Sequence, residues 1–274
     1  MRTFTDAVVA ITGAGSGIGR ALAVAASAKG ARLALCDLNA EGLAATIDLL
    51  PRSCGVTSAV VDVADVNQVR AFAADVRREH GRVNAIINNA GVSYTGPITE
   101  VDYADLHWLI NINFWGVVHG TKEFLPHLID SGDGHIVNLS SLFGLVAVPG
   151  QSGYNAAKFA VRGFTESVRQ DLLVAGAPVQ VTCVHPGGIK TGIARHGRAT
   201  AGEDHEANSR LFDDHLARLE PSVAADQILR AMLRNQPRLL IGADARALHR
   251  LATVLGPRYQ RLFAARAKSM QNRR

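Results

Sequence analysis

Only three cysteines occur in 274 residues, Cys36, Cys54 and Cys183, and none has CxxC spacing. That excludes a disulfide-stapled scaffold. Two of the three fall in apolar, strand-like runs, so the expectation is small core residues in a reducing, cytoplasmic setting. No run of about 18 apolar residues exists, and no membrane-spanning helix is expected. The opening stretch has five consecutive apolar residues before a turn, too few for a signal-peptide core. Internal repeats, low-complexity tracts and domain linkers are absent from the sequence. His196, His205 and His215 lack metal-ligand spacing, so no metal site is expected. Acidic residues are missing from 245–274, which carries eight Arg and Lys. The preceding 244 residues hold 21 basic against 24 acidic side chains, so the tail alone makes the net charge +5.

What is present points to one large α/β domain over residues 1–274, since 47% hydrophobic residues can build a substantial core. Ala7 to Ile11 reads as a buried parallel strand, followed by the glycine-rich TGAGSGIG (Thr12 to Gly19) and a helical pattern to about Lys29. Glycines between strand and helix let the backbone approach a pyrophosphate at the helix N-terminus. Gly13, Ser16, Gly17, Ile18 and Gly19 are therefore candidate cofactor contacts. The second strand, ARLALCD, ends at Asp37, about 20 residues beyond the loop. Its carboxylate suits the adenosine ribose hydroxyls and would repel a 2′-phosphate, with no cation at Ser16 or Leu38 to offset it. The competing role is to cap the helix starting near Asn39.

The stretch from Asn138 to Lys158 carries the chemistry. A short strand ends in Ser140 and Ser141, and Tyr154 and Lys158 follow at a spacing that places both on one helix face. A free phenol has a pKa of about 10, and a lysine ammonium about 4 Å away contributes roughly 4 kcal/mol at an effective dielectric of about 20. The expectation is a phenol brought toward neutrality by Lys158, suited to exchanging a proton with an alcohol or carbonyl oxygen.

TGxxxGxG, NNAG (Asn88 to Gly91), Ser…YxxxK and the PG of HPGGIKT together resemble the short-chain dehydrogenase/reductase family from about Asp6 to Thr191, and more loosely to about Gly242. Strands alternating with helices imply a right-handed, parallel, doubly wound sheet in one domain, and the resemblance implies a Rossmann-like sheet of about seven strands in the order 3-2-1-4-5-6-7, with ligands at the C-terminal edge. It implies adenine contacts at Asp62 and Val63, which close the strand GVTSAVVDV, with a plain strand-end aspartate as the competing view. It implies ribose-side contacts at Asn89, Ala90 and Gly91, where asparagine amides suit strand-end backbone groups. Ser141 matches the family's serine by its distance from Tyr154, while Ser140 is expected to support backbone. Asn113, in a long helix from about Tyr103 to Ile129, matches the asparagine that orders a proton relay to the lysine; Asn111 is the competitor. Lys158 and Tyr154 also reach the nicotinamide ribose. Pro186, Gly187, Ile189 and Thr191 face the nicotinamide, and His185 is expected to be a strand-end histidine.

The implied activity is reversible hydride transfer between NAD(H) and a secondary alcohol or ketone, with NADP second to NAD. Two rivals are an NADP-dependent ketoacyl-type reductase, against which Asp37 argues, and a cofactor-sensing binding protein, which commonly lacks the Tyr–Lys pair. Residues 192–221, polar and weakly periodic, suit a substrate lid. The resemblance also implies a homo-oligomer, dimer or tetramer, built through the two long helices, and no nucleic-acid partner. The basic helical segment 245–274 has two readings. Its apolar residues, including Leu248, Leu251, Leu255, Leu262 and Phe263, pack on the core or a partner subunit, or they dock on an anionic membrane.

Overall fold

Every residue of β1 (Val8–Thr12) is buried, as a run without polar alternation requires when both faces of a strand are covered. The computed structural model describes residues 1–211 and 217–271. Around β1 are β2 (Arg32–Asp37), β3 (Val56–Val60), β4 (Ala85–Asn88), β6 (Gly134–Leu139), β7 (Val179–Pro186) and β9 (Arg238–Ile241). They form one seven-stranded sheet in the order β3-β2-β1-β4-β6-β7-β9, every neighbouring pair parallel. This is the doubly wound order the resemblance implies. The chain leaves β1 outward to β3 and returns to β4, so a crevice opens between β1 and β4 at their C-terminal ends.

Alternate side chains of each strand serve opposite layers. Val9, Ile11, Leu33, Leu35 and Ile87 face α1 (Gly17–Ser27) and α8 (Pro221–Leu233), meeting Leu22 and Ile228. Val8, Ala10, Ala34, Ile86 and Ile136 face α3 (Val66–His80) and α5 (Gly116–Asp130), meeting Phe72 and Phe124, whose rings pack edge-to-face. Local signals set helix ends: the Asn39 side chain caps α2 (Ala40–Ile47), Asp65 caps α3, and left-handed Gly81 stops α3.

Three boundaries differ from expectation. β3 stops at Val60, placing Asp62 and Val63 in the following turn. The long helix is α4 (Tyr103–Ile110) and α5 joined through a π-helical turn, Asn111–Trp115. Segment 192–221 is partly ordered by β8 (Arg198–Ala199), which pairs in parallel with β5 (Tyr94–Thr95), and by α7 (His205–Leu211). The part of the expected lid at 212–216, with His215, lies outside the described residues. The tail forms α9 (Ala243–Leu255) and α10 (Tyr259–Gln271), broken at Gly256 and Pro257. Leu248 and Phe263 pack on this chain's own Leu142 and Val146, whereas Leu262 is 51% exposed; Arg273 and Arg274 lie outside the described residues. Among the described residues no helix is long and apolar enough to cross a membrane.

Candidate active site

The glycine loop is held by neighbours on both sides. Gly13 (φ +65°) and Gly17 (φ +50°) adopt left-handed backbone, which explains why glycine stands at both. Ser16 precedes α1 without making a side-chain cap, so the first N–H groups of α1 are left for another acceptor. A phosphate suits that place, and these residues fit a dinucleotide. The Asp37 carboxylate accepts from the Gly15 N–H at 2.8 Å and from the Asn39 N–H at 2.9 Å. It thus pins the loop to the end of β2, while the cap of α2 is Asn39 itself, which accepts from the Gly42 N–H. Asn89 donates to the carbonyls of Thr12 and Gly13 at 2.9 and 3.0 Å. Its amide therefore supports the loop. The Thr12 hydroxyl, unassigned from sequence, accepts from the backbone N–H groups of Asn89 and Ala90.

Asp62 and Val63 are engaged locally. One Asp62 oxygen accepts from the Ala64 N–H at 2.9 Å, and the Val63 carbonyl accepts from His119 Nδ1 at 3.0 Å. Pro186 ends β7 beside Ile241, Ile189 is buried and bridges to Leu219, and the Thr191 methyl lies against Gly17. The Pro186–Thr191 segment therefore closes over the glycine loop. Asp244, at the start of α9, accepts from the Gly188 N–H at 2.8 Å and fixes that segment. Sequence reasoning missed it because nothing local marks it; only the β7–β9 register brings it there.

Ser141, Tyr154, Lys158 and Asn113 converge beside Gly91. A Cβ placed on Gly91 would sit 3.0 Å from Asn113 Oδ1 and 3.4 Å from Lys158 Nζ. The Asn113 amide is fully buried and bonds both backbone groups of Val92, each at 2.8 Å, whereas Asn111 is exposed. The Ser141 hydroxyl hydrogen-bonds Tyr154 and accepts from the Phe143 N–H. The Ser140 hydroxyl donates to the Lys158 carbonyl at 2.8 Å, a backbone role. His185 is buried, with Nδ1 2.9 Å from the Ser141 carbonyl.

The electrostatics correct one expectation. Burial pushes the Tyr154 phenol up to about 12, only partly opposed by the Ser141 hydrogen bond. Burial also pushes Lys158 down to about 8. Lys158 Nζ donates to the Leu139 carbonyl at 3.1 Å and lies 5.7 Å from the Tyr154 ring centre. Without water around either group, the loss of solvation outweighs the attraction assumed from spacing. Tyr154 is a protonated phenol across neutral pH.

Apolar groups line the remaining side. Phe143 packs edge-to-face on Tyr154 with centres 6.3 Å apart, and Tyr94, Leu109, Val92 and Trp108 join them. Behind Phe143, the Tyr259 hydroxyl accepts from the Ala147 N–H at 3.0 Å, so α10 props the loop after Ser141. Arg198 of segment 192–221 stacks over Trp108 at 4.0 Å and pairs with Asp105 at 2.8 Å.

Comparison with known proteins bears on this geometry. The short chain dehydrogenase family model matches residues 7–202. SadH of Mycobacterium tuberculosis, which is named as an oxidoreductase, is 52% identical over 266 residues, covering 97% of this chain and 96% of that protein. The dehydrogenase/reductase SDR family member 7B of Xenopus tropicalis is 34% identical, covering 96% of this chain and 86% of its own. Among solved structures, a short chain dehydrogenase/reductase of Burkholderia phymatum in complex with NAD superposes with a TM-score of 0.88 at 31% identity, covering 95% of this chain and 97% of that one.

Proposed function

The chain belongs to the short chain dehydrogenase family, and from that premise we propose that it interconverts a secondary alcohol and a ketone with NAD(H). The observation that carries the reading is the convergence of Ser141, Tyr154, Lys158 and Asn113 beside Gly91, next to a loop fitted to a pyrophosphate. A nicotinamide, when bound, would give the hydride in reduction and take it in oxidation. Tyr154 gives its proton to the carbonyl oxygen in reduction and recovers it in oxidation. Its high pKa keeps the proton in place until the oxygen gains negative charge. Ser141 shares the substrate oxygen, so the negative charge developing there meets two hydroxyl donors. Lys158 stabilises the phenolate when it forms, because an ammonium nearby favours an anion more in a dry site than in water. Asn113 keeps Val92 in position and so sets the width of the gap at Gly91.

Asp37 supports NAD over NADP, since its carboxylate sits where a 2′-phosphate would bring like charge. The apolar ring of Phe143, Tyr94, Leu109 and Val92 supports a lipophilic substrate. Exposed Trp115, Phe159 and Tyr103 on the long helices support a homo-oligomer. A screen of secondary alcohols and ketones with NAD and NADP, read at the nicotinamide absorbance, tests the reaction. Turnover of apolar substrates with NAD is the expected result. No turnover of any substrate by a protein that binds NAD would overturn it in favour of a sensing role.

A further inference from the structure

β9 is the edge strand of the sheet, and α8 and α9 flank it in sequence and in space. A cleft of about 440 Å³ opens between these three elements, and none of its residues belongs to the nucleotide or catalytic sets. Arg230 and Arg234 reach it from the end of α8, Arg238 from β9, and Arg246 and Arg250 from α9, one turn apart. Among the described residues the only acid engaged with this group is Glu166, which pairs with Arg238 and, at 3.1 Å, with Arg162. Among the described residues the other four arginines carry no ion pair. The acids of α8 and α9 are used elsewhere: Asp226 lines a separate cleft by α1, and Asp244 is bonded to Gly188.

Exposed arginines are ordinarily solvated and need no partner. Here they converge on one concavity with a single carboxylate at its edge. Helix electrostatics do not explain the pattern. Arg230 and Arg234 suit the end of α8, but Arg246 lies in the first turn of α9, where a cation is disfavoured. The charge is felt inside the cleft, since His249 is held below its ordinary pKa by burial first and then by Arg238 and Arg162. A second copy of the chain paired along β9 would set the two arginine groups against each other. A ligand of opposite charge removes that conflict.

We infer that this cleft binds a diphosphate-bearing anion, held by guanidinium forks from α8 and α9. Arginine is the side chain whose planar donors match phosphate oxygens in pairs. The volume lies within the range of about 300–1,000 Å³ typical of small-molecule sites, larger than one phosphate needs. The anion can belong to a soluble compound or to a lipid head group, and both share this chemistry.

The test is calorimetric titration of the full chain, without nucleotide, with inorganic pyrophosphate; binding at the glycine loop is told apart because it does not respond to substitutions in the cleft. Binding is expected, weakening as salt rises. It should fall at least about tenfold in the Arg234→Ala/Arg250→Ala double variant, whose NAD affinity is unchanged. Arg77→Ala, an exposed arginine on α3, serves as the control and should leave binding as it was. Co-sedimentation with phosphatidylcholine vesicles carrying a polyprenyl diphosphate lipid separates the sources. Vesicle binding displaced by pyrophosphate supports a lipid head group, and pyrophosphate binding without vesicle binding supports a soluble ligand. No pyrophosphate binding at low salt, or equal loss in the double variant and the Arg77 control, would overturn the inference.

Discussion

Between Thr12 and Gly19 the chain is held by short polar side chains at the ends of neighbouring strands, whereas between Ser141 and Ala147 it leans on side chains from the distant tail. The glycine loop takes its supports from the ends of β2 and β4, the strands beside β1. The loop after Ser141 rests on Tyr259, 112 residues from Ala147 in the chain, and on Leu248 and Phe263. A phosphate needs N–H groups and a close approach, which a short motif supplies. An apolar wall needs shape, and shape is assembled from whatever the fold brings near. The nucleotide side can therefore stay fixed while the wall varies with the tail.

The largest expected effect falls where the two regions meet. Tyr154→Phe should lower turnover at least about 100-fold while NAD affinity and fold persist. Ser141→Ala should also depress turnover, and Ser140→Ala less, as the Ser140 hydroxyl serves a backbone carbonyl. Steady-state kinetics beside NAD titration checks this, and the reverse order of the serines would place the chemistry on the wrong one.

Next is the buried ammonium. Lys158 has a pKa of about 8 when folded and an ordinary value of 10.5 when free, so between these values the unfolded chain binds more protons and stability rises with pH. Below about pH 8 the full penalty of burying the charge is present. Urea unfolding of wild type and Lys158→Met should show the wild type gaining about 3 kcal/mol on the variant from pH 8 to 10.5. A constant difference would mean that the folded protein solvates the ammonium.

Asp37→Ala acts on the loop and on the start of α2, away from the apolar wall. It should narrow the preference for NAD over NADP several-fold, mainly by weakening NAD, because the ribose hydroxyls and the Gly15 N–H lose one acceptor. Equal kcat/KM for both cofactors in the wild type would remove the premise. The smallest effect belongs to the wall. Tyr259→Phe keeps the edge-to-face contact with Phe263 but leaves the Ala147 N–H without its acceptor, at a cost of about 1 kcal/mol. Its denaturation midpoint should drop while NAD affinity stays the same. A loss of NAD affinity as well would show that the two regions are coupled.

The alternation of apolar runs with helical periods was enough to predict the doubly wound sheet, and the glycine loop, Asp37 and the Tyr–Lys face were visible as motifs. Periodicity and spacing are local, and a strand buried on both faces or a loop without Cβ atoms leaves a local trace. Other features had no such trace. The choice of Asn113's inward position over exposed Asn111 depends on the rotation of a π-helical turn. Asp244 reaches Gly188 only because β9 pairs with β7. The phenol of Tyr154 sits high because both it and Lys158 are stripped of water, and spacing along a helix says nothing of burial. The arginines of α8, β9 and α9 read as scattered surface charge until the edge of the sheet gathers them into one cleft. Chemistry that rests on neighbours within a turn or a strand end was written in the sequence. Chemistry that rests on solvation or on contacts across the chain was decided only when the layers packed.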